Sequence, residues 1–378
     1  MSNQMTTRER FVKTLTGQEV DRVPLMKIFG GENACKPEWE KECPGLKQRI
    51  DELLKFEGRH RGWAKTGVNM DPTGWMEGEI IDEKGDYVII RRGEGTLEQR
   101  CKDQAGGYGR HTIEWPVKDM GSWQAYKRKY LDPDDPSRFP KDWPERVKEY
   151  KTRDYPLQLF HRGVYGFVRA RMGDENLAYA FYDQPELVHD MMESYTDMAI
   201  LVWEKQVAEV EFDLIECWED MASKNGSLIS PDMFREFMTP CYHRIAAFAK
   251  AHGIKIILVD SDGFIEELAG FMLEGGVTAM YPFEVLAGND VGRVRDRYPN
   301  IACLGGLRKE CMYEGPAAID IEVEKARAWI RKGRYIPGPD HFVLDMASFA
   351  HYRYFMERLR DVVMSTEPGR VPFHRGQP

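Results

Sequence analysis

The second half of this chain restricts the fold more than any other part of it. From about residue 212, short apolar runs alternate with longer amphipathic stretches. "FDLIECWEDMA" precedes "SPDMFREFMTPCYHRIAAFAKAHG", and "IKIILVDSDG" precedes "FIEELAGFMLEGG". "VTAMYPFE", "IACLGGL" and "RYIPGPDH" continue the series, each followed by a helical pattern. The apolar runs are too short for helices and too uniformly apolar for one-sided strands, so they fit buried parallel strands. The stretches between them carry helix punctuation. Ser230 is an N-cap with Pro231 behind it, while Gly253, Gly275, Gly276 and Gly333 mark stops. Five such units in succession imply a parallel sheet with helical crossovers. Polar clusters fall where the strands end, which is the edge at which a (β/α)8 TIM barrel builds its active site.

The first half is less regular. "RVPLMKIFGG" reads as a first strand, followed by a helix over roughly 45–56. "EGEIIDEKGDYVIIRRGEG" predicts a β-hairpin turned at Lys84-Gly85. Residues 60–150 are rich in Gly, Pro, Trp and charge and fit an insertion over the barrel mouth, within a single domain spanning 1–378. "PLQLFHRGVYGFVRARMG" resumes the barrel, and two helices follow, broken near Pro185. With 42% hydrophobic and 30% charged residues, a full core is expected and disorder is not. A formal charge of −9 without a basic block argues against nucleic acid. No apolar run reaches the ~18–20 residues that cross a bilayer. The polar start "MSNQMTTRERF" lacks a signal-peptide core, so a cytoplasmic location is expected. The cysteines number seven with no C-x-x-C, which argues against a disulfide framework or a thiolate zinc knuckle.

Chemistry concentrates at the strand ends. In "LVDSDGF", Asp260 and Asp262 lie two apart, on one face of an extended chain. Two adjacent carboxyls call for a proton, a cation or a metal between them. The competing reading makes Asp262 the N-cap of a helix opening at "DGFIEEL". Glu219 and Asp220 end the preceding strand, either as general acid/base groups or as partners of Lys224 or Arg235. Glu284 ends the next strand, as a mouth acid or a surface one. A gathering of acids 219/220, 260/262 and 284 suits a bound metal. Without one, it needs a cationic substrate, or Lys27 and Arg308 as counter-ions. His341 in "GPDHF" is a candidate ligand or proton handler, with Asp340 to orient it; the alternative is a structural histidine. Lys27, Trp75, His161 and Gly305 are candidate substrate contacts, although Gly305 equally suits tight packing. "GGYG" at 106–109 reads as a flexible loop and a candidate lid.

Four stretches carry a family likeness: "TTRERFVKTLTGQEVDRVPL", "SLISPDMFREFMTPCYHRI", "CLGGLRK" and "GRYIPGPDHFVLDMASFAHYRYF". Together the chain resembles the uroporphyrinogen decarboxylase superfamily, which implies the TIM barrel. That superfamily holds porphyrinogen decarboxylases and corrinoid-dependent methyltransferases. The decarboxylases carry an arginine-rich "MRQAGR" stretch, where this chain has "LMKIFGGENACKP" with Lys27 and Lys36 as its only cations. The methyltransferases hold zinc through "HxCG" and a last-strand Cys. Those positions fall on "DSDG" and near Asp340-His341 here, so the thiolates are replaced by oxygen and nitrogen donors. The resemblance therefore implies a divalent metal, zinc first, held by Asp260, Asp262, Glu284 and His341. Such a metal suits polarisation of an ether oxygen.

The reaction this implies is methyl transfer from a small methylated substrate, a methoxylated aromatic, to a corrinoid protein. Glu219, Asp220 and His341 would be the catalytic groups. Trp63, Trp75 and Trp115 would shape the pocket. No "DxHxxG" occurs, so the corrinoid would arrive on a partner. The resemblance also allows a homodimer. The alternatives are a decarboxylase of a small carboxylic acid, with His341 and Asp260 moving the proton, and a barrel that binds a ligand without catalysis.

Overall fold

The structure, a computed structural model, describes residues 5–72, 78–102, 110–343 and 346–372. Trp75 and the 106–109 loop lie outside the described residues. Seven strands form one parallel sheet: β1 (Ala64–Lys65), β2 (Leu157–His161), β3 (Leu214–Trp218), β4 (Ile256–Asp260), β5 (Ala279–Tyr281), β6 (Ala302–Leu304) and β7 (Tyr335–Ile336). They are hydrogen-bonded in chain order, which is what strand–helix–strand crossovers produce. The crossovers include Pro185–Val207, Thr239–Ala251, Leu268–Gly275 and Pro316–Arg331, and Phe349–Ser365 follows β7.

Alternation along the strands separates two cores. Leu214, Leu258, Tyr281, Leu304 and Ile336 join Trp63 in an inner cluster, while Ile215, Val259, Met280 and Cys303 pack outward beneath the helices. Residues from both ends of the sheet share the inner cluster, so the sheet curls around a common bore. Trp63 and Tyr281 meet edge-on across it, with centroids 5.8 Å apart. Each such buried large side chain stabilises the fold by about 1.5–3 kcal/mol.

The expected first strand has the right pattern and the wrong hydrogen bonds. Met26 and Ile28 enter the inner cluster, and Val23 and Leu25 the outer one. Yet the segment is not paired as a strand with β1 or β7 among the described residues. Pro24 has no N–H to give. Leu25 donates its N–H to the Glu57 carboxylate at 3.0 Å and accepts from Glu57 N at 2.8 Å. Arg22 pins that carboxylate through both of its Nη atoms. The segment packs on both sides of the curled sheet without joining its ladder.

Residues 60–150 are not one continuous insertion. Ala64–Lys65 is barrel wall. A four-stranded antiparallel sheet follows it: Glu79–Lys84, Tyr87–Arg91, Leu97–Cys101 and Arg110–Glu114. Its first hairpin turns at Gly85, where φ is +55°. No helix among the described residues is long and apolar enough to cross a membrane.

Candidate active site

Inward parity selects the residues that reach the bore. On β3 these are Leu214, Glu216 and Trp218; on β4, Ile256, Leu258 and Asp260; on β5, Ala279 and Tyr281. Asp260 stands in register with Trp218 and with Tyr281, and Glu216 lies one layer deeper. Glu216 is 1% exposed and Asp260 8%. The Tyr281 hydroxyl donates to Glu216 Oε1. Arg61 donates to the Tyr281 oxygen at 2.9 Å, and its Nη1 lies 3.5 Å from Glu216 Oε1 and from Asp260 Oδ2. Burial and then the Glu216 charge push the Asp260 carboxyl up to about 8, against the pull of Arg61. A carboxyl whose pKa is raised in this way is suited to hold a proton and give it up. Burial opposes the Arg61 charge, but Tyr281, Glu216 and Asp260 outweigh it and fix the guanidinium in its charged form.

A second pair lies beside the first. His341 Nε2 is 3.1 Å from Asp262 Oδ1. Burial lowers the imidazole's affinity for a proton, but the Asp262 hydrogen bond and charge win, so its pKa is raised. Phe29 packs on His341 at 5.0 Å and on Tyr281 at 5.8 Å, linking the two pairs. Asp220 sits in the left-handed region at φ +46° and accepts from Arg169 at 3.1 Å. Burial and Asp262 raise its pKa. On the opposite wall, Lys65 ends β1 with its ammonium 5.2 Å from the Phe160 ring centre. Arg162 stacks over Trp218 at 4.5 Å and faces Asp71 at 3.3 Å.

The expected metal ligands do not converge. Asp260 turns to Glu216 and Arg61, and Asp262 to His341. Glu284 accepts from Gly263 N at 2.9 Å. Among the described residues, no three His, Cys, Asp or Glu side chains meet as a metal cage. The donor set does not fit a divalent ion, and the cation that answers Asp260 is a guanidinium. Asp262 is no helix cap either, because the next helix starts only at Leu268. The N–H groups of residues 263–265 are instead taken by Glu284, Ser223 O and the Asn289 amide.

Glu219 has a different task from the catalytic one expected of it. It follows inward-facing Trp218 and so points out of the bore. Fully buried, it accepts from Val164, Tyr165 and Gly166 N–H at 2.7, 2.8 and 3.1 Å and from the Tyr242 hydroxyl at 2.5 Å. A carboxylate at a helix N-terminus satisfies donors that the helix cannot. Asp340 does similar work, accepting from Val285 N and Lys309 N, and does not orient His341. Arg308 pairs with Glu314, away from these acids. His161 also faces outward. It packs on Tyr195 and Trp203, and burial drives its pKa down to about 3, so it stays neutral. A Cβ at Gly305, where φ is +83°, would sit 2.8 Å from Pro339 O, so this glycine serves backbone packing. Lys27 is bound to Asp51 at 2.5 Å and borders a cleft of about 190 Å³ with Phe29, Trp39, Phe56 and His341. Trp63 belongs to the inner cluster, and Trp115 packs over Gly173.

Four groups at the bore escaped the sequence reading: Arg61, Lys65, Glu216 and Tyr281. For Glu216 a signal existed, since "LIECW" places it on the same parity as Leu214. Arg61 precedes, and Lys65 ends, a strand of only two residues, which gives no periodicity to count.

The chain has relatives of known structure. A methyltransferase from Methanosarcina mazei superposes with a TM-score of 0.60 at 16% identity, over 95% of this chain and 98% of that one. At this identity the likeness speaks for the fold. A protein described as a vitamin-B12-independent methionine synthase from Listeria monocytogenes matches at a TM-score of 0.30 and 13% identity, over 57% of this chain and 67% of that one, too weakly to carry an argument. No curated protein matches. The family model for uroporphyrinogen decarboxylase (URO-D) matches residues 166–362, just over half of the chain and including β3 through β7. By that match, the chain belongs to the uroporphyrinogen decarboxylase family.

Proposed function

We propose that this protein is a methyltransferase that removes the methyl group of a small methyl ether, an aromatic one, and passes it to a corrinoid protein. The observation that carries the reading is the buried Asp260 carboxyl at the bore, set beside Glu216, Tyr281 and Arg61, with its pKa raised by burial and by Glu216. The partner's reduced corrinoid supplies the nucleophile that attacks the methyl carbon. As the methyl–oxygen bond breaks, its electron pair stays on oxygen, and Asp260 delivers the proton that oxygen needs. Arg61 and Tyr281 then stabilise the carboxylate left behind, and Arg61 is already within 3.5 Å of it. Delivering a proton to a leaving oxygen typically contributes 10²–10⁴-fold. The Methanosarcina likeness supports the class of reaction, and the absence of an arginine-rich stretch after "RVPLM" disfavours a polycarboxylate substrate.

The test is anoxic incubation with cob(I)alamin, standing in for the corrinoid protein, and a panel of methoxylated aromatics. The expected result is loss of cob(I)alamin absorbance matched by release of one phenol per methyl. D260N should slow it at least 100-fold. Carbon dioxide released from an aromatic acid, with cob(I)alamin untouched, would replace this reading with decarboxylation. Binding without turnover of any kind would make the barrel non-catalytic.

A further inference from the structure

We propose that the substrate is an aromatic acid, and that Lys65 is the specificity-determining residue that receives its carboxylate. The inference rests on the methyl-ether reading for one end of the molecule and adds the group at the other end.

The placement follows from strand order. Lys65 ends β1, two residues beyond inward-facing Trp63. Phe160 lies on β2 and Trp218 ends β3, both of inward parity, and Asp260 ends β4. Consecutive strands thus present an ammonium, two aromatic faces and a carboxylic acid around one arc of the bore. Three strand spacings of about 4.8 Å separate the two ends along that arc. The Lys65 ammonium lies 5.2 Å from the Phe160 ring centre, towards the next strand of that arc. The ring lies against Phe160 and Trp218, the ether oxygen at Asp260 and the carboxylate at Lys65.

Charge points the same way. Arg61 is held by Tyr281, Glu216 and Asp260, His341 by Asp262, Arg169 by Asp220, and Arg162 by Asp71. Lys65 has only the Phe160 ring as a close partner: among the described residues no hydrogen-bond acceptor and no carboxylate within 4 Å holds its ammonium. Its neighbours Glu216 and Asp260 already face Arg61. His60 nearby is kept towards its neutral form by burial. Glu216 and Asp260 act on Lys65 at longer range, so Lys65 is a mouth cation with no carboxylate within 4 Å among the described residues. A ligand carboxylate supplies one without desolvating a second cation.

The experiment is equilibrium binding to the full-length protein without corrinoid, by calorimetry and by quenching of tryptophan fluorescence. The probes are 4-methoxybenzoate and 4-methoxybenzyl alcohol, which differ in charge. Wild type should prefer the acid by at least tenfold. K65M should erase that preference, and K65R should keep most of it. K65Q serves in its place if K65M fails to fold, with circular dichroism as the check. Equal affinity of wild type for both probes, or a K65M that still prefers the acid as strongly, overturns the assignment. The two proposals fail separately. Lys65-dependent binding of the acid with no methyl transfer to cob(I)alamin supports this assignment and sinks the reaction. Methyl transfer that runs equally well on acids and alcohols in wild type keeps the reaction and sinks the role of Lys65.

Discussion

Replacing Asp260 by Asn tests the central electrostatic claim without knowledge of any substrate. Asp260 faces Glu216, Arg61, Tyr281 and Asp262, and burial with Glu216 raises its pKa from 3.8 to about 8. At about 1.36 kcal/mol per pH unit, that difference amounts to a ceiling of about 6 kcal/mol. The sign follows from proton counting. Between pH 4 and 8 the folded protein holds a proton at this position that the unfolded chain has released, so stability falls as pH rises. Below pH 4 both states are protonated and the penalty is absent. Above 8 it is complete. Asparagine is neutral throughout and escapes it. Urea unfolding of both proteins at pH 5, 7 and 9 should therefore show D260N gaining on wild type, by up to about 2.7 kcal/mol between pH 5 and 7. A difference that stays flat within about 0.5 kcal/mol from pH 5 to 9, finer than this slope, would mean that Asp260 is ionised at neutral pH. The proton donor, and with it the proposed step, would then be refuted.

Two further outcomes follow from the site. Glu219→Gln leaves one carbonyl oxygen where two carboxylate oxygens met three N–H groups and a hydroxyl, so it should destabilise the protein by about 3–5 kcal/mol in urea while ligand affinity in the folded protein stays unchanged. Loss of binding with intact stability would return Glu219 to the active site. Asp262→Asn removes the largest group that raises the His341 pKa and leaves Glu284 against burial and Lys309, so the imidazole midpoint should fall by NMR; an unmoved midpoint would mean that the 3.1 Å contact does not form in solution.

The parallel sheet was legible because apolar runs and helix caps repeat with a clear rhythm after residue 212. The first strand shows where that legibility stops. Val23 to Phe29 has strand alternation, but its hydrogen bonds were decided by Pro24 and by Glu57, a residue distant in sequence. The acids at the strand ends were easy to find and hard to assign. Parity sorted them afterwards: Glu216 and Asp260 face in, while Glu219 and His161 face out. The expected metal rested on two carboxyls needing a cation, and that argument was sound. It overlooked a guanidinium as the cation, because Arg61 precedes a strand too short to announce itself.

The packed but unladdered segment Val23–Phe29 has a mechanical consequence. A curled sheet stitched by backbone hydrogen bonds resists widening wherever adjacent strands are paired. Met26 and Ile28 hold this segment to the inner cluster through side chains instead, so it can shift without breaking a ladder. Met26, Ile28, Phe29 and His341 also line one cleft, so such a shift changes the width of that cleft before it disturbs the paired strands.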